Sequence, residues 1–97
     1  MRPELVLDLA GVDSTDALHA LLAAQLRFPA HFGGNWDAFW DCVTDPGQSD
    51  LPARLTVRGF AALAARLPRA SALLRTCLEE LPAVRSECRI VWEDGAA

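Results

Sequence analysis

Three short apolar stretches set far apart in the chain restrict its fold more than any other feature. Residues 5–9 alternate, with Leu5, Leu7 and Leu9 on one side and Val6 and Asp8 on the other, as a half-buried strand does. Residues 53–58 carry Leu55, Thr56 and Val57, and residues 88–92 close on Ile90, Val91 and Trp92, both rich in strand formers. Between them apolar residues recur at helical spacing: Leu18, Leu21, Leu22 and Leu26; Trp36, Phe39 and Val43; Phe60, Leu63, Ala64 and Leu67; then Leu73, Leu74, Cys77, Leu78 and Leu81. Strands joined by passages this long and helical pair in parallel, with right-handed crossovers. The order strand, two helices, strand, two helices, strand predicts an α/β fold: one three-stranded parallel sheet flanked by about four helices. The last strand, nearly all apolar, is expected to be covered on both faces.

The breaks between these segments have local causes. Asp13, Ser14 and Thr15 offer capping oxygens for the first helix, which should stop near Arg27 ahead of Pro29. Gly33-Gly34 breaks the chain, Asn35 caps the second helix, and Pro46-Gly47 closes it. Gly59 turns the chain into the third helix, and Pro68 suits the first turn of the fourth. That fourth helix is expected to end before Pro82, leaving residues 82–87 as a connector without chemical signal and 93–97 as a frayed tail. His19, beside Leu18 and Leu22, reads as a surface or boundary residue.

At 97 residues the chain forms one domain, residues 1–97, able to bury a core without metal or disulfide. Cys42, Cys77 and Cys88 make no zinc pattern, and their odd number argues against a disulfide framework. Reduced thiols, a poor signal sequence and no apolar run near the length of a membrane span point to the cytoplasm. The net charge is −4 and every basic residue is Arg. That balance disfavours nucleic acid and anionic membranes, which demand a basic face, and favours a basic macromolecule as partner. Nothing implies a cofactor.

Chemistry concentrates in residues 29–45. On a helical wheel Trp36, Phe39 and Val43 share one side, Asp37, Asp41, Thr44 and Asp45 the other, and Trp40 falls between. Carboxylates at successive i, i+4 steps repel by a few tenths of a kcal/mol each. No Arg between Arg27 and Arg54 relieves them. An acidic face with an aromatic edge suits a cationic partner, although solvated charged faces are common.

The run Gly33, Asn35, Asp37, Ala38, Trp40, Asp41, Cys42 and Thr44 resembles, in order and spacing, the inhibitory loop and second helix of the barstar family. Those small bacterial proteins plug the active site of barnase-type ribonucleases, and their fold has the element order derived above. The resemblance implies a monomeric intracellular inhibitor, of the antitoxin or immunity kind, for a basic guanyl-type, barnase-like ribonuclease. Asp41 would enter the phosphate pocket, Asp37 pair with a neighbouring basic group, Thr44 add a hydrogen bond and Trp40 pack at the rim. Gly33 and Gly34 would let backbone approach the enzyme, with Asn35 starting the helix. His31 and Phe32 stand where the family carries two tyrosines, the first of which stacks on an enzyme histidine. Glu79, or after it Glu80, matches an enzyme-contacting glutamate on the fourth helix. Asp45 matches no acidic family position but extends the same face.

Two other readings compete. A non-inhibitory adaptor would bind another basic protein or toxin through the same face. An enzyme would use Asp37 and Asp41 as an acid and base pair, or with His31 as a divalent-metal site. One helical turn of separation leaves those carboxylates on a convex surface rather than in a water-excluding cleft, so the chain is read as non-catalytic.

Overall fold

A computed structural model describes residues 2–30 and 32–93 of the chain. Its elements are β1 (Glu4–Asp8), α1 (Thr15–Leu26), α2 (Trp36–Thr44), β2 (Arg54–Arg58), α3 (Phe60–Arg66), α4 (Pro68–Val84) and β3 (Arg89–Trp92). The strands form one sheet in the order β1-β2-β3, with both pairings parallel. Glu4, Arg54 and Arg89 lie in one cross-strand row, and Val6, Thr56 and Val91 in another. This is the architecture that the spacing of strands and helices dictates.

Alternation along each strand divides the sheet into two faces. Leu7, Leu55 and Val57 point to the helical side and are fully buried, joined there by Leu18, Leu22, Leu26, Phe39, Leu63, Leu74, Leu78 and Leu81. The other face carries Glu4, Val6, Asp8, Arg54, Thr56, Arg58, Arg89, Val91 and Glu93. Most of these are exposed; Thr56 is buried and Val91 is half-buried. Ion pairs lace that open face: Arg54 Nε to Glu4 at 3.2 Å, and Arg58 Nε to Glu93 at 2.6 Å. The Thr56 hydroxyl donates to Glu4 at 3.3 Å. The expectation that β3 is covered on both faces is therefore corrected: Ile90, Val91 and Trp92 are each only half-buried. An apolar run three residues long does not distinguish a doubly covered strand from an edge strand with one open side. Glu93, assigned to a frayed tail, is fixed by Arg58, while residues 94–97 lie outside the described part.

Local chemistry explains most boundaries. Ser14 Oγ accepts the Ala17 N–H at 3.0 Å to start α1, and Arg27, at φ +57°, ends it in the left-handed region. Gly59 sits at φ +76°, where a Cβ would come within 2.7 Å of the Ala10 nitrogen, so this turn takes glycine alone. The guanidinium of Arg66 bonds the Ala10 carbonyl across the same junction. Pro68 is at the first turn of α4 as expected, but α4 runs through Pro82 to Val84. Proline there deprives only the Leu78 carbonyl of its donor, and the helix closes one turn on with Arg85 N–H bonded to the Leu81 carbonyl at 2.7 Å. No helix among the described residues is long and apolar enough to cross a membrane.

Candidate partner-binding site

The acidic helix α2 is held at both ends by side chains. At its start Asn35 Oδ1 accepts the Ala38 N–H at 2.8 Å, satisfying one of the orphan donors of the first turn. Gly34 reaches this cap at φ +70° with open space around its Cα. At the far end Arg85, 6% exposed, donates from Nη1 to the Val43 carbonyl at 3.1 Å and to Ser49 Oγ at 3.2 Å. Its Nε pairs with Glu87 at 2.6 Å. A cation against the last carbonyls of a helix complements its dipole. The stretch read as a chemically silent connector thus supplies the anchor of α2. Sequence distance hid it: Arg85 lies 42 positions from Val43.

Beneath the helix is an aromatic bed. His19 is 3% exposed, not a surface residue. Its ring lies 4.5 Å from Trp36 and 5.9 Å from Phe32. Phe28 packs edge-on against Phe32 at 5.1 Å and Phe39 at 5.7 Å. Burial pushes the His19 imidazole below its ordinary pKa, with Asp16 partly opposing, and its Nδ1 has no hydrogen-bond partner among the described residues. Phe32 is accordingly an anchor of the loop, half-buried in this cluster. His31 lies outside the described residues.

The upper surface of α2 meets α4 along a groove of about 570 Å³ lined by Trp36, Asp37, Trp40, Asp41, Cys77 and Glu80. Asp37, Asp41 and Glu80 are exposed and the two indoles half-buried. Trp36, on the apolar side of the helix with Phe39 and Val43, divides its ring between the aromatic bed and the groove. Among the described residues none of these three carboxylates joins an ion pair. Glu79 does: it pairs with Arg75 at 3.1 Å and lines a separate groove with Leu78 and Trp92. Of the two glutamates considered, the structure brings Glu80 to the acids of α2. The helical rotation of about 100° between neighbours decides this, and its direction is unreadable until α4 is docked.

Thr44 and Asp45 are engaged internally. Thr44 Oγ1 donates to the Trp40 carbonyl at 2.7 Å. Asp45 caps the following turn, accepting from Gln48 Nε2 at 2.9 Å and from the Gly47 N–H at 2.8 Å. These bonds, with the charge of Arg85, hold its carboxyl below the ordinary value. Cys42 is buried behind the acidic face, its thiol pKa raised by burial and by Asp41 and Asp45. Among the described residues no three His, Cys, Asp or Glu are grouped to hold a metal ion.

The sequence model of one family, described as Barstar (barnase inhibitor), matches residues 2–94. The chain belongs to the barstar family. A protein of Bacillus subtilis (strain 168) bearing the name "Putative ribonuclease inhibitor YrdF" is 37% identical over 57 residues, which is 59% of this chain. The match spans 60% of that relative's length.

Proposed function

We propose that this barstar-family chain is a cytoplasmic, single-domain inhibitor of a basic, barnase-like ribonuclease, and that it blocks the active site with the loop before α2 and the groove between α2 and α4. The supporting observation is the set of exposed carboxylates, Asp37, Asp41 and Glu80, converging with Trp36 and Trp40 on one groove with no ion-pair partner among the described residues. A cleft that binds RNA phosphates collects cationic donors, and a preorganised row of carboxylates presents to them the charge they are built to hold. Opposite charge speeds the encounter, and desolvated charge-assisted hydrogen bonds slow release. The chain then acts by occupancy, without turnover. In this reading Asp41 is central, Asp37 and Glu80 flank it, and Trp40 packs at the rim. Gly33, Gly34, Asn35, His31 and Phe32 shape the approach, Thr44 offers its acceptor lone pairs, and Asp45 adds long-range attraction.

The test is titration into a panel of barnase-like and other microbial ribonucleases, following RNA cleavage, with Asp37→Ala plus Asp41→Ala as control. Stoichiometric inhibition, lost in the control, is expected. Asp41→Ala alone should cost about 2–5 kcal/mol of binding, as truncating one partner of a buried charge pair does. Absence of inhibition across the panel would favour an adaptor for another basic protein instead.

A further inference from the structure

We propose that two copies of this chain associate antiparallel along the open edge of β3, where unpaired backbone groups, a groove and a self-complementary pair of charges coincide. The direction of the backbone groups comes from the ladder. The N–H of Arg89 bonds the Ala53 carbonyl and that of Glu93 bonds the Val57 carbonyl, so these residues face β2. The N–H and C=O groups of Ile90 and Trp92 therefore point outward, to the side where no strand lies among the described residues.

Consider β3 paired antiparallel with itself about Val91. Ile90 then faces Trp92 of the second copy, and residues whose backbone groups point outward exchange both hydrogen bonds of a closely bonded pair. Val91 faces Val91 across the dyad as a non-hydrogen-bonded pair. Arg89 faces Glu93 of the second copy, opposite charges directly across strands. Arg89 is exposed and joins no ion pair among the described residues. Glu93 keeps its bond to Arg58 in this arrangement, since a carboxylate accepts several donors.

The groove beside this edge, about 420 Å³, is lined by Leu78, Pro82, Ile90 and Trp92 together with polar Glu79, Ser86 and Arg89. Ile90 and Trp92 of the second copy would project toward the same side and cover those residues. The two sheets would become one, with both helical layers on the same side.

The other edge makes the contrast. Strand β1 carries Glu4 and Asp8 at its ends with Pro3 before it. Pairing with itself about Val6 would set Glu4 against Asp8, like charge on like charge. Self-pairing of β1 is thus opposed by like charges and by the proline beside it, whereas self-pairing of β3 sets opposite charges against each other. A two-fold arrangement on β3 is also closed, so it ends at a dimer.

Sedimentation velocity of the full chain up to about 1 mM tests this. A concentration-dependent dimer is expected. Arg89→Glu, an exposed substitution, and Val91→Glu, on the open face, should each weaken it at least about 10-fold, while Val6→Glu on β1 leaves it unchanged. Val91→Cys should cross-link under oxidised glutathione faster than the parent chain, because Cα atoms of such a pair lie about 4.5 Å apart, within disulfide range. Circular dichroism checks that each variant is folded. A monomer at every concentration, or a dimer indifferent to both Arg89→Glu and Val91→Glu, overturns the proposal, and so does a peptide or other protein taking this edge in place of the second copy.

Discussion

Replacing Arg85 by methionine tests whether α2 is held from outside its own segment. Methionine keeps much of the buried volume but removes Nη1 from the Val43 carbonyl and Ser49 Oγ and Nε from Glu87. Glu87 is substantially exposed, so that ion pair contributes little. Among the described residues the Val43 carbonyl then keeps the long contact from Ser49 Oγ at 3.4 Å. A hydrogen bond from a charged donor contributes about 1.5–3 kcal/mol, and an acceptor left buried adds its desolvation cost. The expected loss is about 2–4 kcal/mol, or about 10–20 °C in Tm for a chain of this length. Urea unfolding followed by indole fluorescence should show the midpoint fall with the m-value unchanged. Arg85→Lys, reaching one acceptor at a time, should lie between. A loss under about 1 kcal/mol for the methionine variant would refute the anchoring role.

Two further outcomes are expected. His19 resists protonation in the folded chain, while in the unfolded chain it takes a proton near the ordinary value of 6.5. Below that pH the unfolded state binds more protons, so stability should fall as pH drops until the lowered folded value is passed, by at most about 1.4 kcal/mol per pH unit. Urea midpoints at pH 7 and pH 5 should differ less in His19→Leu than in the parent chain, and equal differences would contradict this. Gly59→Ala should destabilise by more than about 2 kcal/mol, because it combines a left-handed backbone with a clash against the Ala10 backbone; a neutral result in thermal unfolding would show that the turn relaxes.

What could be read in the chain beforehand was local. The Asn35 cap, the Gly59 turn and the buried side of α2 follow from residue types at short spacing, and so did the parallel sheet, because helical passages leave no other pairing. Most of what was not legible involves partners remote in sequence. His19 looks like a boundary residue until Trp36 and Phe32 close over it. Arg85 looks idle until α4 delivers it to the end of α2. The resemblance sets Glu79 ahead of Glu80, and only the docking of α4 shows that Glu80 is the one beside Asp37 and Asp41. Pro82 ended the expected helix because proline is costly inside helices, but in the last turn most of that cost disappears. The acidic face was legible through its unrelieved charges, and its grouping with Glu80 was not.

The pairing of the sheet also sets an order of assembly. Register partners on β1 and β2, such as Glu4 and Arg54, are 50 positions apart, and those on β2 and β3, such as Arg54 and Arg89, are 35 apart. Each ladder must close a long loop before its first hydrogen bond forms, and the entropy of closure comes ahead of any reward. Helices α3 and α4, adjacent along the chain, face no such delay. Refolding should therefore begin in the helical half between β2 and β3, with β1 added last, so substitutions in β1 should speed unfolding while leaving the refolding rate almost untouched.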